Sequence, residues 1–173
     1  MHDPLAGSSW SAPATVQGFA RSSPNSTLLR FAAHVYARVA ATGDGGALDI
    51  GCGAARNAVP LACHGWRVLG VDLSRPMLDA ATARATRDCG EGRARFALAA
   101  MDALPVASGR CGLIVAHGIW NLARTAMEFR RAVREAARVA APGAGLFVFT
   151  FSRRTLAATA QPVAGEAFVF TPF

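Results

Sequence analysis

Apolar positions along this chain fall into two alternating kinds of block. Short apolar runs at residues 47–50, 67–71, 95–99, 113–116 and 146–151 read as strands. The segments between them place apolar side chains at helical spacing. Leu28, Phe31, Ala32, Val35 and Val39 form the stripe of a helix that Asn25 or Ser26 can cap and that runs to about residue 41. Residues 42–46 read as a turn. Val59, Leu61 and Ala62 mark a second helix, which bears Pro60 near its start. Ser74 caps a third, with Pro76 in its first turn and Met77, Leu78, Ala81 and Ala83 facing inward. Thr125 or Ala126 opens a long helix with Phe129, Val133, Ala136 and Ala140 on one face, stopped by Pro142-Gly143. The unbroken apolar run at 113–116 suits a strand buried on both faces. Strand and helix in alternation predict right-handed crossovers and a doubly wound, mostly parallel α/β sheet.

The two ends of the chain depart from this pattern. Residues 1–24 are rich in Gly, Ser and Pro without a steady period and predict an irregular arm ahead of a domain spanning 25–173. Trp10 and Phe19 are apolar anchors that either fold the arm over a ligand or cover the core edge. After the fifth strand, some 20 residues remain, enough for one short strand at 167–173. The last strand then forms an open edge that must be covered or paired, for instance with a second copy in a homodimer.

The chemistry concentrates where the first strand ends. Asp49 closes that strand, and Gly51-Cys52-Gly53 turns the chain into a helix. Two glycines let backbone approach a ligand closely and reach positive φ. Asp72 ends the second strand, 19 residues beyond Gly53, the spacing at which a carboxylate meets a ribose. The third glycine of a dinucleotide fingerprint is absent, and Arg56 stands in its place. An acid beside the turn repels a pyrophosphate and attracts an ammonium or sulfonium. The residues favour a cationic, nucleoside-bearing cofactor.

Asp49-Ile50-Gly51-Cys52-Gly53 resembles the first motif of the class I S-adenosylmethionine-dependent methyltransferases. Gly70-Val71-Asp72-Leu73-Ser74 with Met77-Leu78 resembles their second motif, and Met101-Asp102-Ala103-Leu104-Pro105 their third. The run from Arg138 through Ala140, Ala141, Pro142, Gly143 and Ala144 to Gly145 is similar to their helix-to-strand link. The resemblance covers roughly residues 30–151, and Arg56-Asn57 with Gly65-Trp66 is similar to a small-molecule branch of type 11/25. It implies a Rossmann-like methyltransferase fold whose C-terminal antiparallel strands are missing or incomplete here. It also implies that the Gly51, Cys52 and Gly53 backbone meets the methionine end of S-adenosylmethionine, whose amino group Asp49 orients. Asp72 would accept the ribose hydroxyls, Leu73 and Met77 would pack on adenine, and Asp102 and the Ala103 N–H would meet its edge. Structural alternatives stay open: Asp49 as a helix or turn cap, Asp102 as an Asx turn.

The C-terminal ends of parallel strands face the crevice, so His117 is the catalytic candidate, as a general base or as a lining of the cofactor pocket. A purely structural His117 is the alternative. Trp120 and Asn121 share its loop and can bind the acceptor. His2, His34 and His64 read as structural or solvated.

Composition narrows the partners. The 18 basic residues are all arginine against 11 acids, a formal charge of +7. They are scattered, without the patch or aromatic interleaving of a nucleic-acid footprint, so no nucleic-acid partner is expected. No apolar segment has the length of a membrane span or signal peptide, and no membrane partner is expected. Cys52, Cys63, Cys89 and Cys111 show no Cys-x-x-Cys pairing, so neither a disulfide framework nor a metal site is expected, and free thiols fit the cytoplasm. Cys52 reads as a packing residue. The functional expectation is a methyltransferase moving a methyl group to a small-molecule acceptor. The alternatives are a truncated or inactive S-adenosylmethionine-binding module and a nicotinamide-dependent oxidoreductase.

Overall fold

The computed structural model describes residues 3–39, 46–90, 92–167 and 169–170. Five strands form one sheet: β1 (Gly46–Ile50), β2 (Arg67–Asp72), β3 (Ala94–Leu98), β4 (Cys111–His117) and β5 (Ala140–Phe149). Their order is β3-β2-β1-β4-β5 and every pairing is parallel. The strand order reverses between β1 and β4, which opens a crevice beyond their carboxyl ends. The helices are α1 (Pro13–Arg21), α2 (Ser26–Val39), α3 (Ala58–Cys63), α4 (Arg75–Cys89) and α5 (Ala126–Val139).

Strand alternation splits the core into two layers. Ala47, Val68, Leu113 and Val115 pack with α2, α3 and α4 around the buried Trp66. Leu48, Ile50, Val71, Ile114 and Ala116 pack with α5 on the other face. Leu28 and Val35 of α2 are fully buried, each worth about 1.5–3 kcal/mol relative to exposure. Asn25 caps α2: its Oδ1 accepts from the Leu28 N–H at 3.0 Å. The close seat of α2 on β5 depends on Gly145, where a Cβ would lie 2.7 Å from Val35 Cγ2. The expected caps of the later helices are present: Ser74 Oγ accepts from Met77 N, and Thr125 Oγ1 from Glu128 N.

Several expectations change. The arm is not irregular throughout, because residues 13–21 are helical, with Pro13 presetting the first turn. In α4 the inward position after Ala81 is Ala85, four residues on, and Ala83 is exposed. In α5 the buried face is Ala132, Ala136 and Val139, while Phe129 and Val133 are exposed. Pro142-Gly143 does not stop α5. The helix has already ended at Val139, and the pair sits in a register shift within β5, between the Cys111–Ala140 and Leu113–Gly145 pairings. The turn expected at 42–46 lies, except for Gly46, outside the described residues, as do His2, residue 168 and residues 171–173 of the expected last strand. There, Phe170 and Pro162 form an isolated antiparallel bridge.

The cysteine expectation is also corrected. Cys63 and Cys89 form a disulfide, with Cα atoms 5.3 Å apart. They are the last residues of α3 and α4, helices that both run back along the same sheet face, so their ends meet. A 26-residue separation through an intervening strand leaves no local spacing signal. Cys52 and Cys111 are free and buried.

β5 is the sheet edge among the described residues, and its Leu146 and Val148 are exposed. They continue the face of Ile114 and Ala116.

Candidate active site

The turn after β1 holds three residues at positive φ: Gly51 at 68°, Gly53 at 52° and Ala55 at 60°. Its N–H groups are largely committed. Gly51 N and Cys52 N both donate to the Val71 carbonyl, at 2.8 and 3.0 Å. Gly53 N donates to Asp72 Oδ2 at 2.9 Å, and Ser74 N to Asp72 Oδ1 at 2.9 Å. The turn is therefore stitched to the end of β2, and Asp72 is the stitch. Apolar side chains lie against both glycines. A Cβ on Gly51 would come within 2.7 Å of Ile119, and one on Gly53 within 3.3 Å of the Phe19 ring. Met77 is buried below the same turn, and its sulfur would lie 3.9 Å from a Gly53 Cβ.

Asp49 is 2% exposed, and its Oδ2 is buried without a hydrogen-bond partner. Burial, together with the Asp72 charge, pushes its carboxyl up to about 7, against Arg56 and the Ala58 N–H, which favour the ionised form. Ala58 opens α3 just beyond the turn, and Asp49 keeps an oxygen without a partner. An orphan buried carboxylate oxygen is costly. Burial also raises Asp72, opposed by the Ser74, Gly53 and Leu73 N–H groups. Leu73 is half-buried beside it.

Two of the expected adenine contacts are engaged elsewhere. The Ala103 N–H donates to the Ala100 carbonyl at 3.2 Å. Asp102 Oδ2 receives both Nη2 and Nε of Arg131, at 2.8 and 3.0 Å. This ion pair with α5, rather than an Asx turn, anchors the 101–105 segment. The Glu135–Arg138 pair supports it: Glu135 Oε2 accepts from Leu104 N at 2.9 Å, and Arg138 donates to the Leu104 and Val106 carbonyls.

His117 ends β4 and stacks on Phe149, with centroids 4.5 Å apart. Asn25 Nδ2 lies 3.2 Å from its Nε2, and Arg56 Nη2 lies 3.1 Å from its Nδ1. Asn25 and Arg56 are donors, and a neutral imidazole has one acceptor nitrogen. Burial and the Arg56 charge lower the imidazole's pKa, so the ring is held neutral. The Asn25 N–H donates in turn to Asn57 Oδ1 at 3.0 Å. Trp120 is buried with Nε1 unpartnered, and Asn121 Oδ1 is likewise buried and unpartnered. His64 Nδ1 reaches the Pro60 carbonyl at 2.7 Å, and His34 is exposed, as structural and solvated roles predict.

Asn57 and Ile119 carry no site signal in the sequence, while Phe19, one of the two apolar anchors of the arm, lies against the turn at Gly53. Asn25 was recognisable only as a cap. The arm closes over the site through Ser11 Oγ, 2.9 Å from Ser74 Oγ, and through Asp3, whose Oδ1 accepts from Arg75 N at 3.1 Å. Arg84 donates to the Ala20 and Ser22 carbonyls and fixes the end of α1.

A parallel sheet with a switch point, and two strand-end acids astride a glycine turn, define a Rossmann-like α/β protein. A family model for the methyltransferase domain matches residues 47–143, more than half of the chain, and the chain belongs to that family. It is 33% identical over 106 residues to the ribosomal RNA small subunit methyltransferase C of Alcanivorax borkumensis, covering 60% of this chain and 31% of that one. Among solved structures it is similar to a SAM-dependent methyltransferase of Methanosarcina mazei, at 28% identity and TM-score 0.55, covering 60% of this chain and 50% of that one. It is also similar to the CcbJ methyltransferase of Streptomyces caelestis, at 27% identity and TM-score 0.55, over 59% of this chain and 41% of that one. The chain thus spans between 31% and 50% of the length of these relatives. Among the described residues, no helix is long and apolar enough to cross a membrane, and no cluster of His, Cys, Asp or Glu could hold a metal.

Proposed function

We propose that the protein transfers a methyl group from S-adenosylmethionine to a small-molecule acceptor. The observation that carries this reading is the orphan oxygen of buried Asp49 beside Asp72, at the ends of adjacent parallel strands. An ammonium group would satisfy the first carboxylate, and ribose hydroxyls fit the second. The glycine turn between them tolerates no side chain. The residues present thus fit the cofactor. When bound, it supplies a methyl group activated by sulfonium.

In this reading Asp72 has lone pairs beyond those taken by Gly53 and Ser74 and receives the ribose, while Leu73 and Met77 support the adenine. Asp102 keeps its second oxygen for the adenine edge, and the Ala103 N–H is left out because Ala100 already has it. Displacement at a sulfonium depends on alignment and water exclusion more than on a strong base. Ile119 and Phe19, apolar and set against the turn, exclude water. His117 is held neutral between two donors, which disfavours its conjugate acid, so its role is to position Arg56 and Asn25 on the acceptor side. Trp120 and Asn121 supply the acceptor side with polar atoms that no protein group satisfies. The domain at 25–173 carries the site, and the arm forms its roof.

Calorimetry with S-adenosylmethionine and S-adenosylhomocysteine tests the reading. One binding event for each, lost together in Asp72→Ala, is the expected result. No heat and no melting shift on well-folded protein would refute it.

A further inference from the structure

We propose that the acceptor carries a carboxylate or a similar oxyanion, which Arg56 grips beneath α1. This rests on the methyltransferase reading and narrows its substrate class. A depression of about 300 Å³, largely open to solvent, lies between α1 and the turn before α3, lined by Thr15, Gly18, Phe19, Ser22 and Arg56. Its size suits a ring-sized molecule rather than a lone carboxylate.

Arg56 is half-buried at this depression, and no described carboxylate lies within ion-pair distance of it. Its hydrogen-bond partner is neutral His117, approached by Nη2 alone at 3.1 and 3.4 Å to the two ring nitrogens. A guanidinium has five N–H donors in a planar fork, and most of this fork remains to be used. Asp49 acts on Arg56 only at longer range, and burial of that carboxyl weakens its value as a counter-ion. A half-buried cation in this setting calls for an anion.

Gly18 is the second, independent sign. A glycine inside a helix costs about 1 kcal/mol relative to alanine. No neighbour requires it, since a Cβ there would meet nothing within 4 Å. Its φ is not in the left-handed region either. Neither packing nor backbone explains this glycine, but it keeps the depression clear on its α1 wall. Thr15 and Ser22 add hydroxyls, and Phe19 adds a ring face that also covers Gly53, which places a bound molecule beside the cofactor turn.

The test is calorimetry on protein saturated with S-adenosylhomocysteine, titrated with benzoate, phenyl phosphate and the neutral isostere benzamide. At least one acid should bind, and benzamide should bind roughly tenfold more weakly or not at all, the scale of a lost charge-assisted hydrogen bond. R56Q should abolish acid binding while 5′-methylthioadenosine, which lacks the amino group that Asp49 would hold, still binds, and circular dichroism should confirm that it folds. Gly18→Leu fills the depression from a helix surface and should block the acids with Arg56 intact, which keeps the proposal falsifiable if R56Q misfolds. Equal binding of benzamide, or no binding of either acid, overturns the proposal. So does R56Q binding the acids as tightly as the wild type. If S-adenosylhomocysteine itself gives no heat, the methyltransferase reading falls, and this inference with it.

Discussion

The two sides of the crevice are built in opposite ways. On the β1–β2 side, one short turn does the work: Gly53 N and Ser74 N clasp Asp72, Val71 takes two more N–H groups, and Asp49 is buried with one oxygen spare. On the β4 side, His117 is held by Asn25 from the head of α2 and Arg56 from the far side of the turn, and it stacks on Phe149 of β5. The first is local and backbone-dominated. The second is assembled from four segments through side chains. A backbone-built half can keep one geometry while a side-chain-built half is free to differ in what it accepts, and in the proposed reading the same division would separate cofactor from acceptor.

The largest effect that would sharpen this contrast is expected at the disulfide. Cys63→Ser opens the clamp between α3 and α4, the helices that follow the turns after β1 and β2. Chain entropy for a loop of this length puts the loss near 3–4 kcal/mol, read by denaturant unfolding. If the β1–β2 half depends on that clamp, cofactor affinity falls with it.

Asp72→Ala comes next. It removes the ribose acceptor and leaves Gly53 N and Ser74 N without partners, so cofactor binding should weaken by about 1.5–3 kcal/mol by calorimetry. Unchanged affinity would break the idea that this half is the cofactor side.

Asp49 makes a pH prediction. Its folded pKa of about 7 lies above its ordinary value of 3.8, so the folded state holds a proton that the unfolded state releases. Its contribution to stability is full below pH 3.8 and is lost as pH rises through 7. Urea unfolding between pH 5 and 8 should therefore show the wild type losing stability relative to Asp49→Asn. A flat difference would show that the buried acid does not titrate in this window.

His117→Ala should lower turnover and raise the acceptor KM while sparing cofactor affinity, since its partners lie on the acceptor side. A loss of cofactor affinity instead would merge the two halves. The smallest effect is expected for Asn25→Ala, which costs about 1 kcal/mol as a lost helix cap and frees one side of the His117 ring.

The legible parts of the site share one property. Asp49, the two glycines, Asp72 and the Ser74 cap lie within or just after strand-turn-helix units, where residue type and spacing are dictated by local backbone geometry. The five strands and their parallel arrangement follow from the same short-range periodicity. Misplaced expectations came from longer range. Phe129 and Val133 have the right spacing for a buried face, yet Ala132, Ala136 and Val139 take it, and only the docking of α5 on the sheet decides which side of the helix is covered.

The amino-acid order alone thus determined the doubly wound sheet, the glycine turn and the paired strand-end acids, because each is a matter of nearest neighbours along the chain. Only the tertiary structure decided that Cys63 meets Cys89, that Arg131 engages Asp102, that Asn25 and Arg56 converge on His117, and that α1 walls a depression at Arg56. Those contacts join residues 26 to 92 positions apart. No spacing rule reaches that far, because helix packing and sheet order, not local propensity, bring such residues together.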